Sequence, residues 1–190
     1  MGDETVSVLR KLGEALGLRQ KGRDLISIVL YFHKGFVLTD DVLRVAVVRA
    51  WKRDADETLK EYVRNMPPIC FVKFDGMTLL LTNVNKQYCD PQYLEQAVAE
   101  FPELRQKKVV REHKAFLAID LLLPKKGLTK SVKSKCYKRM CSLAAEFVDD
   151  NCLGVYLPEF RHLRPYDSEI TSALRNDQPL KEIHNWGDTA

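Results

Sequence analysis

The segment DDNCLGVYLPEF, Asp149 to Phe160, gathers three carboxylates, an amide and a thiol around a short apolar run. Brought together in space, such groups supply acid–base or nucleophilic chemistry. Each also has a structural use. Asp149, Asp150 and Asn151 close a long helix, and Asn151 suits the left-handed conformation that glycine usually takes at a helix end. Cys152 to Leu157 reads as a strand, which Pro158 and Glu159 then leave. Glu159, at the end of the strand, is the one member of the segment that stays a site candidate. Two residues elsewhere join it. His113 stands in VREHKAF, and Asp120 lies inside the apolar strand FLAIDLLL. An ionised carboxylate is costly to bury unless paired. Arg111 or Lys114, or an outward-facing position on the strand, would satisfy Asp120 cheaply. A cleft joining Glu159, His113 and Asp120 would be a hydrolase-like site.

A second chemistry is anion binding. Between Asp120 and Glu146 there is no acidic residue, while Lys125, Lys126, Lys130, Lys133, Lys135, Lys138 and Arg139 all occur. PKKGLTKS sits between a strand and a helix, the context of a phosphate-binding loop. It lacks the required glycines, with Thr129 directly before Lys130 and Lys125 five residues before Lys130. What remains is a helix N-terminus ringed by Lys125, Lys126 and Lys130, able to hold an anion without a motif. Lys135, Lys138 and Arg139 share one exposed helix side and extend the stripe toward a polyanion. No aromatic ladder is interleaved for base stacking, so a solvated face is the simpler reading.

Metal and cofactor chemistry find no support in the pattern. His33, His113, His162 and His184 show no ligand spacing. The cysteines at 70, 89, 136, 141 and 152 are odd in number and contain no C-x-x-C pair. No serine nucleophile elbow is present. Neither a metal nor a cofactor is expected, and the thiols read as small apolar residues of a reduced, cytoplasmic protein. The chain has 190 residues, 45% hydrophobic and 29% charged, with a formal net charge of +4. These values suit one sizeable core in a soluble domain rather than a nucleic-acid-binding chain. No apolar run reaches the roughly 20 residues of a membrane span.

The elements that position these residues follow from periodicity. TVSVLRKLGEALGL is a short amphipathic helix weakened by two glycines, and RQKGRD links it to the rest. This assigns 1–23 to an appendage and 24–190 to a single domain. LISIVLYF is a strand buried on both faces. Thr39 followed by two aspartates starts a helix carrying Val42, Leu43, Ala46, Val47 and Ala50. A second helical stretch is expected from Asp56 to Arg64, stopped by Pro67 and Pro68. Asp75-Gly76 between apolar runs predicts a hairpin. A helix capped by Asp90 carries Tyr93, Leu94, Ala97, Val98 and Phe101 toward the core, and AFLAIDLLL is the next strand. A long helix then buries Val132, Cys136, Met140, Leu143 and Phe147, followed by the strand CLGVYLP and a closing helix DSEITSALRN. The first six elements run β-α-β-β-α-β. The expected fold is therefore α+β: a ferredoxin-like core extended by a helix, a strand and a helix, with helices on one face of a mostly antiparallel sheet.

HKAFLAIDLL, the helix ending FVDDNCLGVYLPE, and SALRNDQPL together resemble the uncharacterised bacterial domain of unknown function 4261 family. The specific likeness covers Ala115 to Leu180 and departs from the family pattern at the lysine-rich helix start and the N-terminal helix. The resemblance implies a stand-alone fold and carries no catalytic residue with it. The functional expectation is a non-catalytic binding or interaction domain, its partner another protein. The alternatives are the hydrolase-like cleft near Glu159 and His113, and a nucleic-acid or polyanion binder using the lysine-rich helix.

Overall fold

The computed structural model describes residues 26–52, 63–74, 76–122 and 129–176. The N-terminal helix and linker, Asp75, Lys125, Lys126 and the C-terminal tail lie outside the described residues. The strands are β1 Ser27–Phe32, β2 Val63–Met66, β3 Ile69–Phe74, β4 Met77–Val84, β5 Ala115–Leu122, β6 Cys152–Leu157 and β7 His162–Pro165. The helices are α1 Asp40–Trp51, α2 Leu94–Ala99, α3 Leu104–Glu112, α4 Lys130–Ala145 and α5 Ile170–Arg175.

β1 shapes the architecture. All six of its residues are buried, so it needs an apolar layer on each side. It lies between β5 and β6 in a sheet of order β2-β3-β4-β5-β1-β6-β7. Every pairing is antiparallel. Ile28, Leu30 and Phe32 point to a first face and join Leu79, Leu81, Leu117 and Ile119 in the main core. Leu43 and Val47 of α1, Tyr137, Met140 and Leu143 of α4, and Leu174 of α5 complete this core. Val29 and Tyr31 point to the second face and meet Val98 of α2, Phe101, and Val109 and Val110 of α3. Helices therefore cover both faces, not one, as an apolar central strand requires.

The α+β class and the antiparallel sheet agree with the sequence, but the strand order differs from the ferredoxin-like one. There, the connection carrying the second helix crosses over. Here β4 pairs directly with β5, from Thr78 opposite Leu122 to Val84 opposite Phe116. The α2–α3 connection therefore returns to the neighbouring position, and β1 adds to the far side of β5.

Local chemistry explains most element boundaries. The Thr39 hydroxyl accepts from the Val42 N–H at 3.2 Å, with Asp40 and Asp41 in the first turn of α1. Thr129 caps α4 in the same way through Val132 N–H at 3.4 Å. The Trp51 indole N–H donates to the Arg139 carbonyl at 3.1 Å and ties α1 to α4. The buried face of α4 is wider than its stripe, since Tyr137, Cys141 and Ala144 are also buried while Val132 is 40% exposed. Tyr93, expected to face the core, is exposed instead.

Two further expectations are corrected. Val63 and Arg64 belong to strand β2, paired with Val72 and Phe71, and Pro67 and Pro68 form its turn into β3. The expected helix over Asp56–Arg64 therefore does not reach its last two residues, and its remainder lies outside the described ones. Asn151 does not take the left-handed conformation; among the described residues only Lys52, Arg161 and Gly76 have positive φ. Its carboxamide clamps the Lys34 backbone instead, accepting from Lys34 N–H at 3.0 Å and donating to the Lys34 carbonyl at 2.8 Å.

Gly76 takes φ +77 at the β3–β4 turn, and a Cβ there would meet nothing within 4 Å. The cost of a side chain is then purely backbone strain. Gly76→Val should lower unfolding free energy by roughly 1 kcal/mol or more. A denaturant midpoint equal to that of the unaltered protein would contradict the turn geometry.

Candidate binding pocket

The residues singled out from sequence do not converge. His113 is 1% exposed and caps the end of α3. Its Nε2 accepts from Tyr88 N–H at 2.8 Å, and its Nδ1 lies 3.2 Å from the Val109 carbonyl, to which it donates. Both ring nitrogens are used, and the ring lies 4.3 Å from that of Tyr31. Burial pulls its pKa below the usual value, with the Val109 and Val110 backbone partly opposing. His113 is therefore a neutral strut between α3 and the loop after β4, on the second face.

Glu159 lies on the other side of the sheet, in the short helical turn Pro158–Phe160 that leads from β6 to β7. It accepts from the Tyr137 hydroxyl at 2.6 Å and pairs with Lys133 Nζ at 3.5 Å. Burial, followed by the Glu159 carboxylate, pushes the Tyr137 pKa far up, so the phenol stays a donor. The sheet separates Glu159 from His113, and the hydrolase-like cleft does not form.

Asp120 occupies the second face, its strand position opposite Ser27 of β1 and Leu80 of β4. Its partner is the Ser27 hydroxyl rather than Arg111 or Lys114; Arg111 instead pairs with Glu95 at 2.8 Å. Burial pushes the Asp120 pKa up to about 6, with the Ser27 hydrogen bond pulling the other way. The lysine stripe is also narrower than the sequence pattern. Lys130 opens α4, Lys133 is partly buried against Glu159, and Lys135, Lys138 and Arg139 are exposed.

A concavity with the shape of a binding site lies at the other end of the first face. Its volume is about 400 Å³, and it is lined by Phe36, Val37, Leu38, Pro67, Pro68, Cys70, Asn83 and Asn85. Three segments build it: the β1–α1 loop, the β2–β3 turn and the end of β4. Asn83 joins all three. Its backbone N–H donates to the Pro68 carbonyl at 2.9 Å, and its side-chain Nδ2 donates to the Phe36 carbonyl at 2.9 Å. Phe36 leans edge-on against Phe32 at 5.1 Å and is anchored in the main core. A Cβ at Gly35 would fall on the Asn85 carboxamide and displace this exposed side chain from its position. The Asn151 clamp on Lys34 holds the same loop from the opposite side.

Among the described residues, the lining holds no acid, base or cation. The ionisable group among these described residues is Cys70, whose thiol is pushed up to about 11, first by burial and then by Asp40, and so stays protonated at neutral pH. Such a surface binds by apolar contact and amide hydrogen bonds, without a nucleophile or a proton donor. Sequence inspection passed over these residues because Pro67-Pro68 reads only as a helix stop and Asn83 as part of a strand. The signal present was the cluster of turn residues in HKGF and MPP, which periodicity cannot place side by side. No family, curated protein or solved structure matches the chain.

Asp120 gives a test of the electrostatics. Its folded-state pKa is raised above the ordinary value, so the native state binds the proton more tightly than the unfolded chain. The stability this confers is present at low pH and is lost as pH rises through about 6. Asp120→Asn should therefore stabilise the protein above that pH by on the order of 1–3 kcal/mol, with the gain vanishing near the usual carboxylate pKa. Urea unfolding across this range would show it; a destabilised variant at alkaline pH would contradict the burial cost.

Proposed function

We propose that the chain is a non-catalytic, cytoplasmic binding domain whose pocket receives a small, neutral, largely apolar group. The observation that carries this is the lining itself: aromatic, aliphatic and proline side chains with two carboxamides and a protonated thiol. An anionic ligand would lose its hydration there and find no cationic partner among the described lining residues. The volume of about 400 Å³ falls within the range of small-molecule sites. All five cysteines are free thiols, which suits a reducing compartment. No helix among the described residues is long and apolar enough to cross a membrane. Kinship with the domain of unknown function 4261 family, on the strength of residues 115–180, would fit a stand-alone α+β domain and adds no activity.

Benzyl alcohol and benzoate, similar in size and opposite in charge state, test the reading. In ¹⁵N-resolved NMR titrations, benzyl alcohol should shift the amide signals of Val37, Leu38, Cys70 and Asn83, and benzoate should not. Val37→Trp, at a rim position 77% exposed, should block the shifts while leaving the fold intact. Shifts that map elsewhere on the surface, or equal shifts with benzoate, would overturn the proposal.

A further inference from the structure

We infer that the apolar stripe of residues 5–18 docks across one half of the second sheet face, over β3, β4 and the end of β5. Strand alternation defines that half. Cys70, Val72, Leu79 and Leu81 point to the first face and join the main core, so Ile69, Phe71, Thr78 and Leu80 point to the second. Leu122, opposite Thr78, belongs with them. Ile69 is 6% exposed and Leu80 5%. Neither belongs to the second-face cluster, in which α2 and α3 pack with Val29, Tyr31, Phe116 and Ala118. Neighbouring strands shield a side chain from the sides and not from above. The two described clusters place no helix over Ile69 and Leu80, and an apolar sheet face needs a layer on it.

The strand register brings the N-terminal segment to this surface. Ser27, the first residue of β1, stands opposite Asp120, Asp120 opposite Leu80, and Leu80 opposite Phe71. These four make one row across the second face. With strands about 4.8 Å apart, Phe71 is roughly 14 Å along that row from the start of β1. Residues 19–25 can span about 23 Å when extended. A helix over 5–18 would be about 21 Å long, enough to lie across β5, β4 and β3. Its spacing sets Val8, Leu9, Leu12, Ala15 and Leu16 on one side and Arg10 and Glu14 on the other, an apolar side for the sheet and a charged one for water. Other segments start from the wrong side. Residues 53–62 follow α1, 123–128 precede α4 and 177–190 follow α5, and all three helices pack on the first face.

Photocrosslinking in the full chain tests the docking. With p-benzoylphenylalanine in place of Leu12, illumination should join the segment to peptides containing Ile69–Phe74, Met77–Val84 or Leu122, at the mass of one chain. The same probe in place of Glu14, on the charged side, should lose these products. Crosslinked pairs of chains would give the strip to a second copy and overturn the inference. Products on α1, α4 or α5, or none at all, would overturn it as well. A second measurement uses the double variant Leu9→Asp, Leu12→Asp. The ¹⁵N-resolved amide signals of Ile69, Phe71 and Leu80 should shift while those of Met140 and Leu143 stay in place. Unmoved signals at the first three would contradict the docking. So would collapse of the whole spectrum, because uncovering this strip leaves both described clusters intact.

Discussion

The structure depends on one strand that can touch water on neither face. β1 carries six consecutive buried residues, and each alternate set must find its own apolar layer. The first set draws in α1, α4 and α5, and the second draws in α2 and α3. The two layers are not alike. The first is broad and aliphatic, whereas the second is small and built around Tyr31, Phe116, Tyr156 and Tyr88, with ring pairs between 5.1 and 6.5 Å. The polar groups buried with that aromatic layer, His113 and the phenols, are held in their neutral forms by the same burial.

The pocket is a consequence of where β1 ends. After Phe32 the chain must leave the middle of the sheet and cross to α1, and the crossing segment is anchored in the core by Phe36 and Leu38. Two asparagines satisfy its backbone. Asn151 fixes Lys34 through both carboxamide atoms, and Asn83 fixes Phe36 and Pro68. Both residues trade side-chain hydrogen bonds for backbone groups that no strand or helix would satisfy. Asn83 ties the loop to the β2–β3 turn, and the concavity lies where these two segments meet the end of β4.

Much of this was legible in the sequence wherever the governing contacts are local. The doubly buried character of Ser27–Phe32, the Thr39 cap, the turn at Gly76 and, over its described residues Ala115–Leu122, the strand AFLAIDLLL follow from composition and spacing and stand in the structure. What could not be read depends on pairings between distant segments. β2 and β7 are four residues each, too short for periodicity, and exist because β3 and β6 offer an edge. α3 is held by its capping box of Glu103 and Gln106 as much as by Val109 and Val110. Glu159 and His113 looked like partners because a sequence carries no information about which face a strand end or helix end will meet. The pocket residues went unseen for the same reason: Phe36, Pro68 and Asn83 are brought together only by the register of β4 against β3 and the clamp on the loop after β1.

Native-state hydrogen exchange measures this dependence directly. If β1 is the strand on which both layers rest, the amides of Val29, Leu30 and Tyr31 should exchange only through global unfolding, together with those of Leu117 and Ala118 opposite them. The edge strands β2 and β7 and the pocket loop at 33–38 should open at lower free energy, leaving β1 closed. Exchange of β1 through a local opening, or protection of β2 and β7 equal to that of β1, would contradict the account.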